Sequence, residues 1–227
     1  MAKPTTRVRL TRESVLDAAL ERIDTNGLPS LSMRELAADL GVSAMSLYRH
    51  VRDKDELLDL VADRVIETFT PRRVKGPWTK QAVEMCRGIR AGVIAHPELA
   101  NRVIGRPVTS SETGLRVNGA FVSLLLEAGV PRASVARVYW VLSTYTMGFA
   151  LFEVERARAI GDRPRRSAAE RRSSVEAMIQ VLDADVADPG ALAEVLSTDF
   201  DDEQFRTGLE AVVHGLDATI SRSRRSA

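Results

Sequence analysis

The sequence has few cysteines, no long apolar run and little net charge, and these features exclude some classes of protein. One cysteine, Cys86, stands among 227 residues, so no internal disulfide can form and a zinc site built on several cysteines is excluded. No run approaches the roughly 18 apolar residues of a membrane-spanning helix, and the N-terminus lacks the apolar core of a secretion signal. We therefore expect a cytoplasmic protein with no membrane partner. The net charge is only +1, so bulk charge favours no partner.

Strand patterns are also missing. No stretch alternates apolar and polar β-branched residues for long enough to predict a strand, whereas helical periodicity runs through almost the whole chain. The fold is therefore predicted to be all-α. The segment PRRVKGPW, at 71–78, contains two prolines and one glycine and predicts a link between two domains. We place an N-terminal domain at 1–70 and a larger helical domain at 78–223.

The stretch from Ser32 to Val51 predicts a helix, a tight turn and a short second helix. Ser32 and Glu35 have the spacing of a capping box at the first helix start, and Gly41 closes that helix. Ser43 is expected to cap a helix of about two turns, held inward by Leu47 and Val51. This order is that of the helix-turn-helix unit, whose second helix enters the DNA major groove. An ordinary corner between two helices, with a solvated outer face, is the alternative.

A DNA-binding surface on this unit would use small, apolar and cationic side chains. Small residues let the helix approach the bases, Met45 suits thymine methyl groups, Arg49 suits a guanine, and Tyr48, His50 and Lys54 suit phosphates. The predicted DNA-binding residues are Arg34, Ser43, Ala44, Met45, Ser46, Tyr48, Arg49, His50 and Lys54. The basic leader, which holds Lys3, Arg7, Arg9 and Arg12 and no acid, also fits DNA.

The stretch LSMRELAADLGVSAMSLYRHVRDKDELL resembles the DNA-binding signature of the TetR family of transcriptional regulators. The resemblance covers about the first seventy residues. Further along, HPELA, EAGVPRASVARVYW and DEQFRTGLEAVVHGL resemble the ligand-binding domain of the tetracycline-repressor branch. The resemblance implies a ligand-responsive repressor that binds a palindromic operator on double-stranded DNA as a homodimer. A small apolar or amphipathic effector would release it, and no cofactor is implied.

The helix predicted from Pro131 to Arg158 is apolar around most of its circumference, so it must be covered on several sides. Pairing it with the last helix across a two-fold axis would form a four-helix dimer interface. The two recognition helices would then lie about one DNA turn apart, roughly 34 Å. The alternative is that both helices are buried within a monomer.

An apolar pocket is expected in the second domain. Its predicted lining is Phe69, Met85, Ile89, His96, Phe121, Trp140, Tyr145 and Phe149, with Trp78 and Met147 as further candidates. Each of these residues can equally be ordinary core, and His96 precedes Pro97, where a role in a turn is as good an interpretation. Tetracycline repressors hold drug-bound magnesium with histidines. Phe69-Thr70-Pro71 stand where such a histidine would follow the fourth helix, so neither tetracycline nor a metal is expected.

An enzyme is the competing class. The acidic run DFDDE precedes the last helix, where carboxylates stabilise the positive end of the helix dipole, so capping explains it better than metal binding. No glycine-rich phosphate loop, HExxH motif or nucleophile elbow is present. We expect no catalytic activity. The remaining alternative is a helical small-molecule-binding or catalytic protein whose DNA-binding domain is secondary.

Overall fold

The computed structural model describes residues 10–69, 74–105, 111–160, 166–181 and 186–225, and within these ranges the chain is all-α, as predicted. The helices are α1 Arg12–Asn26, α2 Met33–Asp39, α3 Ala44–Leu47, α4 Lys54–Glu67, α5 Trp78–Ala95, α6 Ala100–Gly105, α7 Glu112–Glu127, α8 Arg132–Ile160, α9 Ala168–Val181, α10 Pro189–Ser197 and α11 Asp202–Arg225. Short 3-10 turns occupy Leu28–Ser30 and Pro97–Leu99. No helix in the described ranges is long and apolar enough to cross a membrane.

Side chains ahead of α2 and α4 fix where these helices begin. The Ser32 hydroxyl accepts a hydrogen bond from the Glu35 N–H at 3.2 Å, and the Asp53 carboxylate accepts one from the Glu56 N–H at 2.8 Å. The return half of each capping box differs from the usual pattern, in which the third residue bonds the backbone N–H of the cap residue. Glu35 accepts from the Ser32 hydroxyl, and Glu56 accepts from the backbone N–H of Arg52. That hydrogen bond lowers the pKa of Glu56.

Helices α1 to α4 form the N-terminal unit around a continuous apolar core. Leu36 of α2 is fully buried, and the burial of Leu47 and Val51 confirms the inward positions predicted for the second helix. The regular part of α3 is shorter than the predicted two turns. Hydrogen bonds from the N–H groups of His50 and Val51 to the Leu47 carbonyl, at 2.8 and 3.1 Å, continue the chain as a tighter turn.

The larger unit is organised around α5, α8 and α11, which meet at the buried side chain of Arg90. Its guanidinium donates two hydrogen bonds to Glu153 on α8, at 2.9 and 3.0 Å, and one to Asp202 on α11 at 2.9 Å. It also lies 4.9 Å from the ring centroid of Phe205. Losing one partner of such a buried pair leaves an unpaired charge and costs about 3–5 kcal/mol. Arg90 therefore holds the three helices together.

Polar contacts attach α4 to the larger unit along its length. Arg102 of α6 donates to Asp59 at 2.7 Å, and the Ser111 hydroxyl, which caps α7, donates to Asp63 at 2.8 Å. Further along, Arg116 of α7 forms an ion pair with Glu67 at 3.0 Å. Three successive turns of α4 are therefore held by residues of α6 and α7 or by the cap of α7.

Candidate DNA-binding surface and internal cavity

The burial of Leu47 on one side of α3 turns the opposite face of that helix outward. Met45 is 72% exposed and Tyr48 is 48% exposed, and Arg49 is also exposed. The exposed methionine, tyrosine and arginine combine apolar, hydroxyl and cationic groups, which are the kinds of side chain that contact DNA bases and phosphates. We call Arg34, Ser43, Ala44, Met45, Ser46, Tyr48, Arg49, His50 and Lys54 the α3 surface.

Cations on the α3 surface have no ionic partner within the described ranges, whereas cations close by do. Arg34, Arg49 and Lys54 are exposed and form no ion pair there. By contrast, Arg22 pairs with Asp39 at 2.6 Å and Arg52 with Glu56 at 3.1 Å. Unpaired guanidinium and ammonium groups around an outward helix suit phosphates and base edges.

The remaining members of the α3 surface are small or partly covered. Ser43 does not cap α3 as predicted, because its hydroxyl bonds the hydroxyl of Ser46 at 2.9 Å. Ala44, Ser46 and His50 are half-buried. Of the basic leader, Arg12 begins α1 and lies 3.9 Å from Glu56. The other three members, Lys3, Arg7 and Arg9, lie outside the described residues.

A cavity of about 520 Å³ lies between α4, α5, α6, α7 and α8. Its volume is in the range that holds a drug-sized molecule. The described residues that line it are Ile66, Phe69, Met85, Ile89, Val103, Ile104, Ser111, Gly114, Val117, Asn118, Phe121, Tyr139, Trp140, Ser143, Thr144, Met147 and Gly148. None of them carries a charged side chain. Phe69, Met85, Ile89, Phe121, Trp140 and Met147 were predicted to line a pocket.

Two aromatic residues predicted for the pocket lie outside this cavity, in the packing of α8 on α11. The Tyr145 hydroxyl donates to the Phe205 carbonyl at 3.0 Å, and its ring stacks on that of Phe205 at 5.7 Å. Phe149 packs against Phe205 at 5.2 Å. Trp78, a further candidate, donates its indole N–H to Asp217 of α11 at 2.8 Å. The prediction that these three side chains line the pocket is therefore corrected: their rings pack between helices of the core.

His96 is also absent from the cavity wall. Its Nδ1 lies 2.9 Å from the Asp24 carboxylate of α1, so the side chain joins the N-terminal unit to the end of α5. The neighbouring Glu98 does the same, since it accepts from the Leu28 N–H at 3.2 Å and from Arg158 of α8 at 3.1 Å. The role of His96 in a turn is the interpretation that fits these contacts.

The polar part of the cavity wall was not predicted from the sequence. The Tyr139 hydroxyl donates to the Asn118 side-chain oxygen, and the Asn118 amide donates to the Gly114 carbonyl at 2.7 Å. Burial raises the pKa of Tyr139, and a hydrogen bond with Ser143 opposes that rise. A signal was present in the sequence: Asn118 interrupts the otherwise apolar inward face of α7.

Within the described residues, no group of three or more His, Cys, Asp or Glu side chains is placed to hold a metal ion.

Comparisons with known proteins match one family model to the N-terminal unit and another to the larger unit. The family model for bacterial regulatory proteins of the tetR family matches residues 15–61, which include the whole α3 surface. The model for the tetracyclin repressor-like C-terminal domain matches residues 70–220, which include all the described cavity-lining residues except Ile66 and Phe69. The chain belongs to the TetR family. It is a DNA-binding transcriptional regulator, and the resemblance stated from its sequence is confirmed.

Relatives of this TetR-family chain include named repressors. The transcriptional repressor DrrR1 of Streptomyces coeruleorubidus is 30% identical over 98% of this chain and 81% of its own length. The class D tetracycline repressor of Escherichia coli is 27% identical over 94% of this chain and 92% of its own. Among solved structures, ActR of Streptomyces coelicolor in complex with actinorhodin has a TM-score of 0.72 and 31% identity, covering 94% of this chain and 99% of its own.

Proposed function

We propose that this regulator is a repressor whose homodimer binds a palindromic operator through two α3 surfaces and leaves it when a small apolar or amphipathic molecule fills the cavity. One observation carries the proposal: α4 connects the two sites. Asp53 caps its first turn directly after α3, while Ile66 in its last turn and Phe69 just beyond line the cavity wall. Cavity and α3 surface are thus coupled through one helix.

Exposed faces of α8 and α11 support the dimer. On α8, Val141, Thr144 and Phe152 are exposed, at spacings that place them along one side of the helix. On α11, Ala211, Gly215 and Ala218 are exposed with the same periodicity, and their small size lets another helix approach closely. A second copy of the chain packed on these two helices would cover the apolar side chains of α8. We keep the division of the chain into a DNA-binding domain, 1–70, and a ligand-binding and dimerisation domain, 78–223.

The effector must favour one of two conformations. A ligand shifts an equilibrium only as far as its affinities for the two states differ. A molecule in the cavity contacts Phe69 and, through α6 and α7, the side chains that hold α4. It would therefore displace α4 and with it the attached α3 surface. The actinorhodin complex of ActR supports an organic effector for this chain, acting in the cytoplasm where the operator lies.

Retention of genomic DNA tests this function. Purified protein is mixed with sheared DNA of its source organism, with and without a small-molecule extract of the same cells, and the retained fragments are sequenced. We expect one palindromic site to be enriched and the extract to abolish the enrichment.

The matched variant is Gly148→Leu. Gly148 lines the cavity, and a Cβ atom added there meets nothing within 4 Å, so the leucine fills the cavity with little clash. This variant should retain the site and ignore the extract, with sedimentation velocity to show that it remains a dimer. A wild-type protein that enriches no site, or a Gly148→Leu protein that responds fully to the extract, would contradict the proposal.

A further inference from the structure

We infer that the effector is an uncharged, flat aromatic molecule with a hydroxyl group, and that the paired side chains of Asn118 and Tyr139 select it by binding that hydroxyl. This inference rests on the proposed function, because it names the chemistry of the molecule that fills the cavity. The supporting observation is a pair of polar side chains in a mostly apolar wall: Asn118 and Tyr139 line the cavity and are hydrogen-bonded to each other.

Aromatic rings form much of the apolar wall, which favours a flat ligand. Phe121 and Tyr139 lie 5.0 Å apart between ring centroids, and Trp140 meets the Tyr139 ring edge-on at 5.1 Å. Phe69 adds a ring from the end of α4. Aromatic pairs gain about 0.5–1.5 kcal/mol beyond their buried area in stacked or edge-to-face arrangements. Gly148 also lines the cavity, and a Cβ atom added there would meet nothing within 4 Å.

Hydrogen-bonding capacity remains at the polar cluster. An asparagine amide carries two N–H donors, and Asn118 uses one of them on the Gly114 carbonyl. Among the described residues, its second N–H has no acceptor. The Tyr139 hydroxyl donates its proton to Asn118, and although Ser143 also hydrogen-bonds this hydroxyl, a second lone pair on its oxygen can accept from a ligand. A ligand hydroxyl accepts from the Asn118 amide and donates to the Tyr139 oxygen, which satisfies both groups.

The other polar side chains of the wall are Ser111, Ser143 and Thr144. Ser143 is hydrogen-bonded to Tyr139, and Thr144 is exposed to solvent. Ser111 is already engaged, because its hydroxyl caps α7 and donates to Asp63. None of the described lining residues is charged, so an ionised ligand would lose part of its hydration there without gaining an ionic partner. Burying an unpaired charge costs far more than burying a hydroxyl that finds a hydrogen bond. The wall therefore selects a neutral molecule.

Three fluorescent probes with the same three fused rings isolate the contribution of one substituent: 2-hydroxyanthracene, anthracene and anthracene-2-carboxylate. Their affinities for the full-length protein are measured by fluorescence anisotropy at neutral pH. A hydrogen bond contributes about 0.5–1.5 kcal/mol, which is about 2- to 13-fold in affinity. We expect 2-hydroxyanthracene to bind more tightly than anthracene by a factor in this range, and the carboxylate to bind at least about tenfold more weakly than 2-hydroxyanthracene.

Two tyrosines of α8 provide matched variants. Tyr139→Phe removes only the hydroxyl of the polar cluster and should abolish most of the preference for 2-hydroxyanthracene while leaving anthracene affinity within about twofold. Tyr145→Phe removes a hydroxyl that bonds the Phe205 carbonyl outside the cavity, so it should leave the preference unchanged. Equal weakening of both neutral probes by Tyr139→Phe, an equal effect of Tyr145→Phe, tighter binding of the carboxylate, or no binding of any probe would each overturn the inference.

The proposed function fails by a different result. If the probes bind Gly148→Leu as well as wild type, they do not occupy the cavity, and the inferred ligand class is wrong. If cell extract still releases operator DNA from wild type but not from Gly148→Leu, the regulator stands and only the class of its effector is overturned.

Discussion

At the scale of single residues, the DNA-binding account depends on side chains that the protein leaves without internal partners. Arg49 and Tyr48 are exposed on the outward side of α3, and neither supports the core. Most arginines around them are paired with carboxylates, as Arg22 is with Asp39. Cationic groups that the fold does not use are available to a ligand, and their loss should affect binding rather than folding.

Replacement of Arg49 or Tyr48 by alanine should weaken operator binding without lowering the melting temperature. A guanidinium that forks onto a guanine contributes about 1–3 kcal/mol of discrimination, so Arg49→Ala should also relax sequence preference at that position. Titration of operator and scrambled DNA measures both effects. Arg172→Ala, which removes an exposed arginine paired with Glu176 on α9, is the control and should bind normally. Unchanged affinity in both α3 variants would place the recognition surface elsewhere.

Lys54 is expected to act on the phosphate backbone. It begins α4, is exposed and has no ionic partner among the described residues. Lys54→Ala should weaken binding to every DNA sequence alike and should reduce the slope of log affinity against log salt by about one unit. A salt series on operator and non-specific DNA checks this. A loss confined to the operator would show that Lys54 contacts a base.

Cys86 should be inert in the folded protein. Its side chain is fully buried, and burial raises the pKa of the thiol to about 11. The thiolate is the reactive form, so at pH 8 almost none is present and the reagent cannot reach it. Alkylation by iodoacetamide should be slow for the native protein and fast in denaturant. Equally fast alkylation under both conditions would show that α5 opens readily.

At the scale of helices, the contact between the end of α4 and α5 occurs at one glycine. A Cβ atom at Gly92 would lie 2.4 Å from the Phe69 ring and 2.7 Å from the Thr68 hydroxyl. Phe69 also lines the cavity, so the crossing holds a cavity residue in place. The absence of a side chain at Gly92 therefore fixes how closely α4 approaches the ligand-binding unit.

Gly92→Ala should destabilise the protein by about 1–3 kcal/mol, the usual cost of overpacking, and should weaken the effect of ligand on operator affinity. Gly88→Ala on the exposed side of the same helix has nothing within 4 Å of its added Cβ. That variant should instead stabilise α5 by about 0.5–1 kcal/mol. Urea unfolding compares the two. Equal effects of both substitutions would refute the close contact at Gly92.

Local signals in the sequence predicted where several helices begin. Thr11 has the side chain of a common N-cap residue and caps α1, in a box completed by Ser14, because both groups lie within one turn of each other. Asp53 caps α4 for the same reason. Ser43 was misjudged because a second hydroxyl, that of Ser46, lies within its reach and competes for it. Capping is predictable where a single partner is available to the side chain.

The cavity wall was harder to predict because α8 is apolar on nearly every side. Tyr139 and Tyr145 are six residues apart, which at 100° per residue places them about 120° apart around the helix. One ring therefore faces the cavity and the other faces α11. Helical periodicity does not show which neighbouring helix each face of α8 contacts, because that depends on how α5, α7 and α11 pack around it. The DNA-binding residues remain a prediction that awaits the variants above.

At the scale of the whole molecule, the proposed operator binding requires two copies of the chain. One α3 surface is short, because the regular helix holds only four residues, and it offers few base contacts. A dimer formed through α8 and α11 doubles these contacts and relates them by a two-fold axis. The operator should then consist of two inverted half-sites.

A base-resolution footprint on the retained genomic fragment shows whether two α3 surfaces bind one operator. We expect two protected half-sites related by inversion, with centres about one DNA turn, roughly 34 Å, apart. Protection of both half-sites should be lost when Arg49 is replaced by alanine. The stoichiometry should be one dimer for each operator. A single protected site without symmetry, or a footprint that survives Arg49→Ala unchanged, would contradict the proposed operator binding.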